Sequence, residues 1–347
     1  MIHPWLQPTW ARLVELGERL PHALLFVGPA GLGKRALAEA LAARLLCDAP
    51  GADGHACGQC EPCLWRLSGN HPDLHRVVPE AETAAAEGEG DGEAPAKAAS
   101  TQIRIDQIRE LQGALTVTGH HGSRRVVLLD PAEAMNGVTA NALLKLLEEP
   151  PEGCVFVLVS SSPRILLPTI RSRCQQWHFS RPEAAALAGW AAHAAADARA
   201  LLALGGGMPL AAERLAQGGG AAMHARFVRD IGGLQADDVL RLAGQWESWL
   251  RSKDALAAGF GLPELADWMQ RWVSDLAVLR LGGRVRFFPA QEGVLAALAA
   301  RMSVAAASAC YNELAQIRKV SRHPLSLRLV LEDMLMRYAR AVAGARG

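Results

Sequence analysis

The chain contains no run of about eighteen apolar residues, the length a helix needs to cross a bilayer, so no membrane span is expected. Its first residues, Met1-Ile2-His3-Pro4-Trp5, lack the basic segment and apolar run of a secretory leader, and the expected compartment is the cytoplasm. An excess of charge of one sign is also missing. With 36 Lys and Arg against 35 Asp and Glu, the net charge of +1 argues against broad attraction to nucleic acid and leaves only a local patch to meet phosphates. Aromatic residues make up only 5% of the chain, while half of the 347 residues are hydrophobic and alanine is abundant. Those proportions favour a helix-rich protein with a sizeable core, long enough for two or three domains.

Cysteine is scarce outside one place. Four of the seven, Cys47, Cys57, Cys60 and Cys63, form a C-x9-C-x2-C-x2-C cluster, with Gly58 and Pro62 supplying turn chemistry between them. Thiolates at this spacing converge on one tetrahedral ion from a tight loop, and four sulfurs leave no open position. The expectation is a structural zinc site. Cys154 and Cys310 read as small core residues.

Along the first half, short apolar runs alternate with helical patterns, as in a parallel sheet flanked by helices. Residues 23–27, 125–130 and 155–160 predict buried strands; residues 34–46, 103–115 and 140–149 predict helices, the last stopped by Pro150 and Pro151. Residues 80–100 hold Ala, Gly and Glu with no large apolar side chain, the composition of a disordered acidic insertion. Beyond Arg181-Pro182 strand signals stop, and an alanine-rich helical unit gives way to amphipathic helices. Their stripes, such as Leu242, Trp246, Trp249 and Leu250, or Leu265, Trp268, Trp272 and Leu276, read as internal core.

Gly28-Pro29-Ala30-Gly31-Leu32-Gly33-Lys34-Arg35 matches the phosphate loop G-x-x-x-x-G-K but ends in Arg where Ser or Thr belongs. Gly28, Gly31 and Gly33 let backbone N–H groups turn toward phosphate oxygens, and Lys34 would reach the β- and γ-phosphates. Arg35 offers a cation and no oxygen, so it cannot ligate Mg2+. Asp130 ends an apolar strand where the metal-organising Asp is expected, yet Pro131 follows it in place of a water-orienting Glu, and Glu133 stands three positions on. ATP or ADP binding is compatible with this degenerate site; hydrolysis is not expected.

Ile170-Arg171-Ser172-Arg173-Cys174 joins two further motifs, Asn141-Ala142-Leu143-Leu144-Lys145-Leu146-Leu147-Glu148-Glu149-Pro150-Pro151 and the Pro21-His22-Ala23 lead into the phosphate loop. Together they resemble the clamp-loader branch of the AAA+ proteins. The resemblance implies an α/β RecA-like P-loop domain over 1–181 with a zinc module at about 47–63, a small helical lid domain over 182–222 and an all-α collar domain over 223–347. It also implies a place in a ring-like pentamer with gamma/tau and delta subunits that loads the sliding clamp onto primed DNA. Arg173 matches the arginine finger offered to a neighbour's γ-phosphate. Near Gly207-Met208-Pro209, where the ATPase members carry an arginine, this chain has none. The leading expectation is a non-hydrolysing subunit that completes a neighbour's ATP site. The alternatives are an active gamma/tau-like ATPase using Arg35 and Glu133, and a zinc-dependent nucleic-acid-binding module, which lacks a strong basic or aromatic cluster around its cysteines.

Overall fold

The computed structural model describes residues 2–82, 100–116, 124–321 and 326–343. Most of the acidic stretch expected at 80–100, from 83 to 99, therefore lies outside the described residues. The chain divides into two compact units, Met1–Leu187 and Ala188–Gly347.

The first unit is built on a five-stranded sheet of order β2-β3-β4-β1-β5, parallel throughout. Its strands are β1 (Ala23–Val27), β2 (Leu74–Val77), β3 (Arg125–Leu129), β4 (Cys154–Ser160) and β5 (Gln175–His178). Every residue of β1 and β4 is buried, as continuous apolar runs require when helices cover both faces of a parallel sheet. The helix α1 (Gln7–Leu16) precedes β1, and α2 (Lys34–Leu45) starts directly after the phosphate loop. Leu37, Ala38, Leu41 and Ala42 of α2 are buried. The helix expected from residue 103 begins at Ile105 instead, and Ile103 forms a parallel bridge with Met135, fully buried. The following helix, Gly137–Glu148, starts three residues earlier than expected because Asn136 caps it, accepting the Thr139 N–H at 2.9 Å.

The second unit is helical among its described residues. One hydrophobic cluster runs from Leu201 to Val342 and absorbs the expected stripes: Leu242, Trp246, Trp249 and Leu250, and Leu265, Trp268, Trp272 and Leu276, are all buried in it. Trp246 and Trp272 are its largest fully buried side chains, and the Trp272 Nε1–H donates to the Tyr338 hydroxyl at 3.0 Å. No single described helix is long and apolar enough to cross a membrane.

Candidate functional site

The phosphate loop joins the C-terminal end of β1 to α2. A side chain at Gly28 would put its Cβ 2.3 Å from the Phe179 carbonyl oxygen, and Gly33, at φ +87°, would put one 2.6 Å from the His3 ring. Both positions therefore admit only glycine. Lys34 is 4% exposed, and its ammonium donates to the carbonyls of Gly28 (2.7 Å) and Pro29 (2.8 Å) and to the Ser161 hydroxyl (3.1 Å). It is thus folded back onto its own loop. The Trp5 indole N–H donates to the Leu32 carbonyl at 2.9 Å, and Trp5 stacks on His3 at 4.8 Å, so the N-terminal segment braces the same loop.

Arg35 points from the first turn of α2 to the end of β3. Its Nε lies 3.3 Å from Asp130 Oδ2 and its Nη1 2.8 Å from Glu82 Oε2. Burial pushes the Asp130 carboxyl up to about 6, while the neighbouring guanidinium pulls the other way. These residues do not fit a magnesium ion: the one carboxylate expected to organise it faces a fixed cation, and the hydroxyl that should ligate it is absent. Glu133 does not approach as a free base. Its Oε1 accepts the Ser161 N–H at 2.9 Å, and its Oε2 is buried with no hydrogen-bond partner among the described residues.

The four cysteines expected to share a metal do come together. Their sulfurs all lie within 4.8 Å of one another, with Cys47 to Cys60 at 3.8 Å and Cys57 to Cys63 at 4.0 Å. A tetrahedron of metal–sulfur bonds of about 2.3 Å has edges of about 3.8 Å, so the donor set fits a four-coordinate thiolate metal centre. The N–H groups of Cys57 and Cys60 donate to the sulfurs of Cys47 and Cys57 at 3.2 and 3.3 Å. Backbone N–H donors of Gln59 and Cys60 draw the Cys57 thiol down to about 6, whereas burial pushes Cys63 up to about 12.

Arg173 ends the short helix Pro168–Arg173, just before β5. Its Nη2 pairs with Glu148 at 2.5 Å and its Nη1 donates to the Thr169 carbonyl at 3.1 Å. The pair is superficial, its side chains 35% and 47% exposed, and such ion pairs contribute about 0–1 kcal/mol.

The family model described as DNA polymerase III, delta subunit, matches residues 10–183. The DNA polymerase III subunit delta' of Pseudomonas aeruginosa is 42% identical over 286 residues, covering 80% of this chain and 77% of that protein. The chain belongs to the DNA polymerase III delta' family. The delta' subunit of Escherichia coli is 30% identical over 348 residues, spanning 96% of this chain and 94% of its own. A gamma/tau subunit from Mycobacterium bovis is 36% identical over 161 residues, 46% of this chain and 25% of that protein.

Within this chain the structure connects motifs that lie far apart in sequence. The His22 ring is 3.1 Å from the Leu147 carbonyl, tying the Pro-His-Ala lead to the end of the Leu-Leu-Glu-Glu helix. Ser161 is a site residue that the sequence reading passes over. It follows β4 and touches both Lys34 and Glu133, yet a serine after an apolar strand carries no signal of its own.

Proposed function

We propose that this chain is the non-hydrolysing delta' subunit of a DNA polymerase III clamp-loader complex, which loads the sliding clamp onto primed DNA. In this reading it joins gamma/tau and delta subunits in a pentamer and offers Arg173 to the ATP site of a gamma/tau neighbour. Family membership supplies the complex; the Arg35–Asp130 ion pair is the observation that carries the loss of hydrolysis. The cation stands between the phosphate loop and the residue that should organise the metal, so phosphoryl transfer lacks its main charge stabiliser. Residues 1–181 act as the RecA-like domain, 182–222 as the lid and 223–347 as the collar through which subunits assemble. The Cys47, Cys57, Cys60 and Cys63 cluster holds structural zinc, and Gly28, Gly31, Gly33 and Lys34 still cradle phosphate.

The test is ATP hydrolysis by the isolated chain beside the reconstituted complex. The isolated chain should show no turnover. Arg173→Ala should leave assembly intact and slow DNA-stimulated hydrolysis by the complex at least about tenfold, within the range an arginine finger commands. Unchanged hydrolysis and clamp loading would remove the finger. The rival reading, a gamma/tau-like ATPase, draws on the Oε2 of Glu133, which has no partner among the described residues. It predicts turnover by the isolated chain that disappears in Lys34→Ala.

A further inference from the structure

We infer that the phosphate loop of this chain binds a nucleoside polyphosphate free of divalent metal, with Arg35 as the built-in counter-cation. The inference rests on the non-hydrolysing reading above and adds the ionic form of the ligand. A nucleoside triphosphate carries several negative charges that must be neutralised wherever it is bound, and magnesium ordinarily shares that role with the loop lysine. Here two cationic side chains, Lys34 and Arg35, stand consecutively at the N-terminus of α2, where the backbone dipole adds partial positive charge.

Arg35 also takes the place the metal would need. Its Nε is 3.3 Å from Asp130, so an ion brought to that carboxylate would be set beside a guanidinium that cannot be deprotonated. No oxygen at position 35 compensates. The guanidinium itself is well placed to change partners: its side chain is 54% exposed, and one of its two carboxylates, Glu82, is 38% exposed. Pairs so accessible to water are weak, and a polyphosphate is a stronger partner for a planar guanidinium. Lys34 makes a parallel exchange, trading the carbonyls of Gly28 and Pro29 for phosphate oxygens. The metal-free nucleotide is the more highly charged form and the better match for two adjacent cations.

The test is titration calorimetry of the full chain with ATP and with ADP, once in excess chelator and once in saturating magnesium. Binding in chelator should equal that in magnesium within about threefold, or be tighter. Arg35→Thr restores the hydroxyl and should reverse the preference, binding at least about tenfold more tightly with magnesium than without. Arg35→Lys should keep the metal independence of the parent. Asp130→Asn separates the two designs: a magnesium site would lose affinity, whereas a site built on Arg35 keeps or gains it. Wild-type affinity that falls more than about threefold on chelation overturns the inference, as does absence of binding to either nucleotide in both buffers. Melting curves of each variant confirm that it is folded. Hydrolysis is followed in the same magnesium samples, so turnover would count against the non-hydrolysing reading separately from the metal dependence of binding.

Discussion

Asp275 is fully buried, and its carboxylate accepts the N–H groups of Arg286 (3.0 Å), Phe287 (2.8 Å) and Phe288 (2.9 Å). Those bonds fold the segment after the helix Leu262–Arg280 back onto it and seat Phe288 against Trp272, with ring centroids 5.0 Å apart. Truncation would orphan several donors at once, one of them on buried Phe288. Asp275→Ala should therefore destabilise the chain by about 3 kcal/mol, read as a lower urea midpoint at unchanged slope, and Asp275→Asn should recover only part of that. A shift below about 0.5 kcal/mol would show that water replaces the carboxylate. Single letters vary in how much they disclose. Arg35 announces a missing metal ligand from the sequence alone, because the motif fixes what should stand there. Its pairing with Asp130 joins positions far apart in the chain, and no local pattern encodes it.

Among the elements, the cysteine module has little core of its own. Its helix α3 (Glu61–Leu67) buries only Pro62 and Cys63 and leaves Leu64 and Leu67 more than half exposed. With so little apolar burial, the proposed metal would be what orders the loop. Elemental analysis should find about one zinc per chain, and Cys63→Ser or chelation should lower the melting temperature and open this loop to protease. Identical melting of metal-free and metal-loaded chain would contradict that dependence. The cluster was readable because ligand spacing is a local property. The strands show where such reading stops. β1 coincides with its expected bounds, since an unbroken apolar run must be covered on both faces. β2 (Leu-His-Arg-Val) and β5 (Gln-Gln-Trp-His) escape notice because each lies at a sheet edge, is four residues long and is only partly buried. Their pairing is dictated by neighbours rather than by their own composition.

Over the whole molecule, His224 of the second unit is one of the groups through which stability will depend on acidity. Its ring stacks on Phe288 at 5.6 Å and meets the edge of Trp268 at 6.2 Å, and burial pushes its pKa below the ordinary 6.5. The unfolded chain then binds this proton more readily than the folded one, so the contribution of His224 is fully present above pH 6.5 and is lost as pH falls below it. Melting temperatures taken across that range should fall toward acid, and His224→Phe should flatten the fall; an identical slope in the variant would place the effect elsewhere. The point where strand patterns end and helical stripes begin was legible in the sequence. The cluster that gathers Leu201 and Leu204 with residues as distant as Val342 was not, since it depends on packing between helices far apart in sequence.

The shortest helix of the first unit's C-terminal region gives a last consequence. Arg173 lies two residues before β5, and β5 is hydrogen-bonded along its length to β1, the strand that runs into Gly28. Beyond the paired residues, the Phe179 carbonyl presses on Gly28 so closely that not even a methyl group fits between them. The chain's own loop and the arginine it would lend are therefore mounted on one stiff lever. Under the proposed function, nucleotide held in the loop would bear on Arg173 through two adjacent strands, tying the pocket of this chain to the reaction next door.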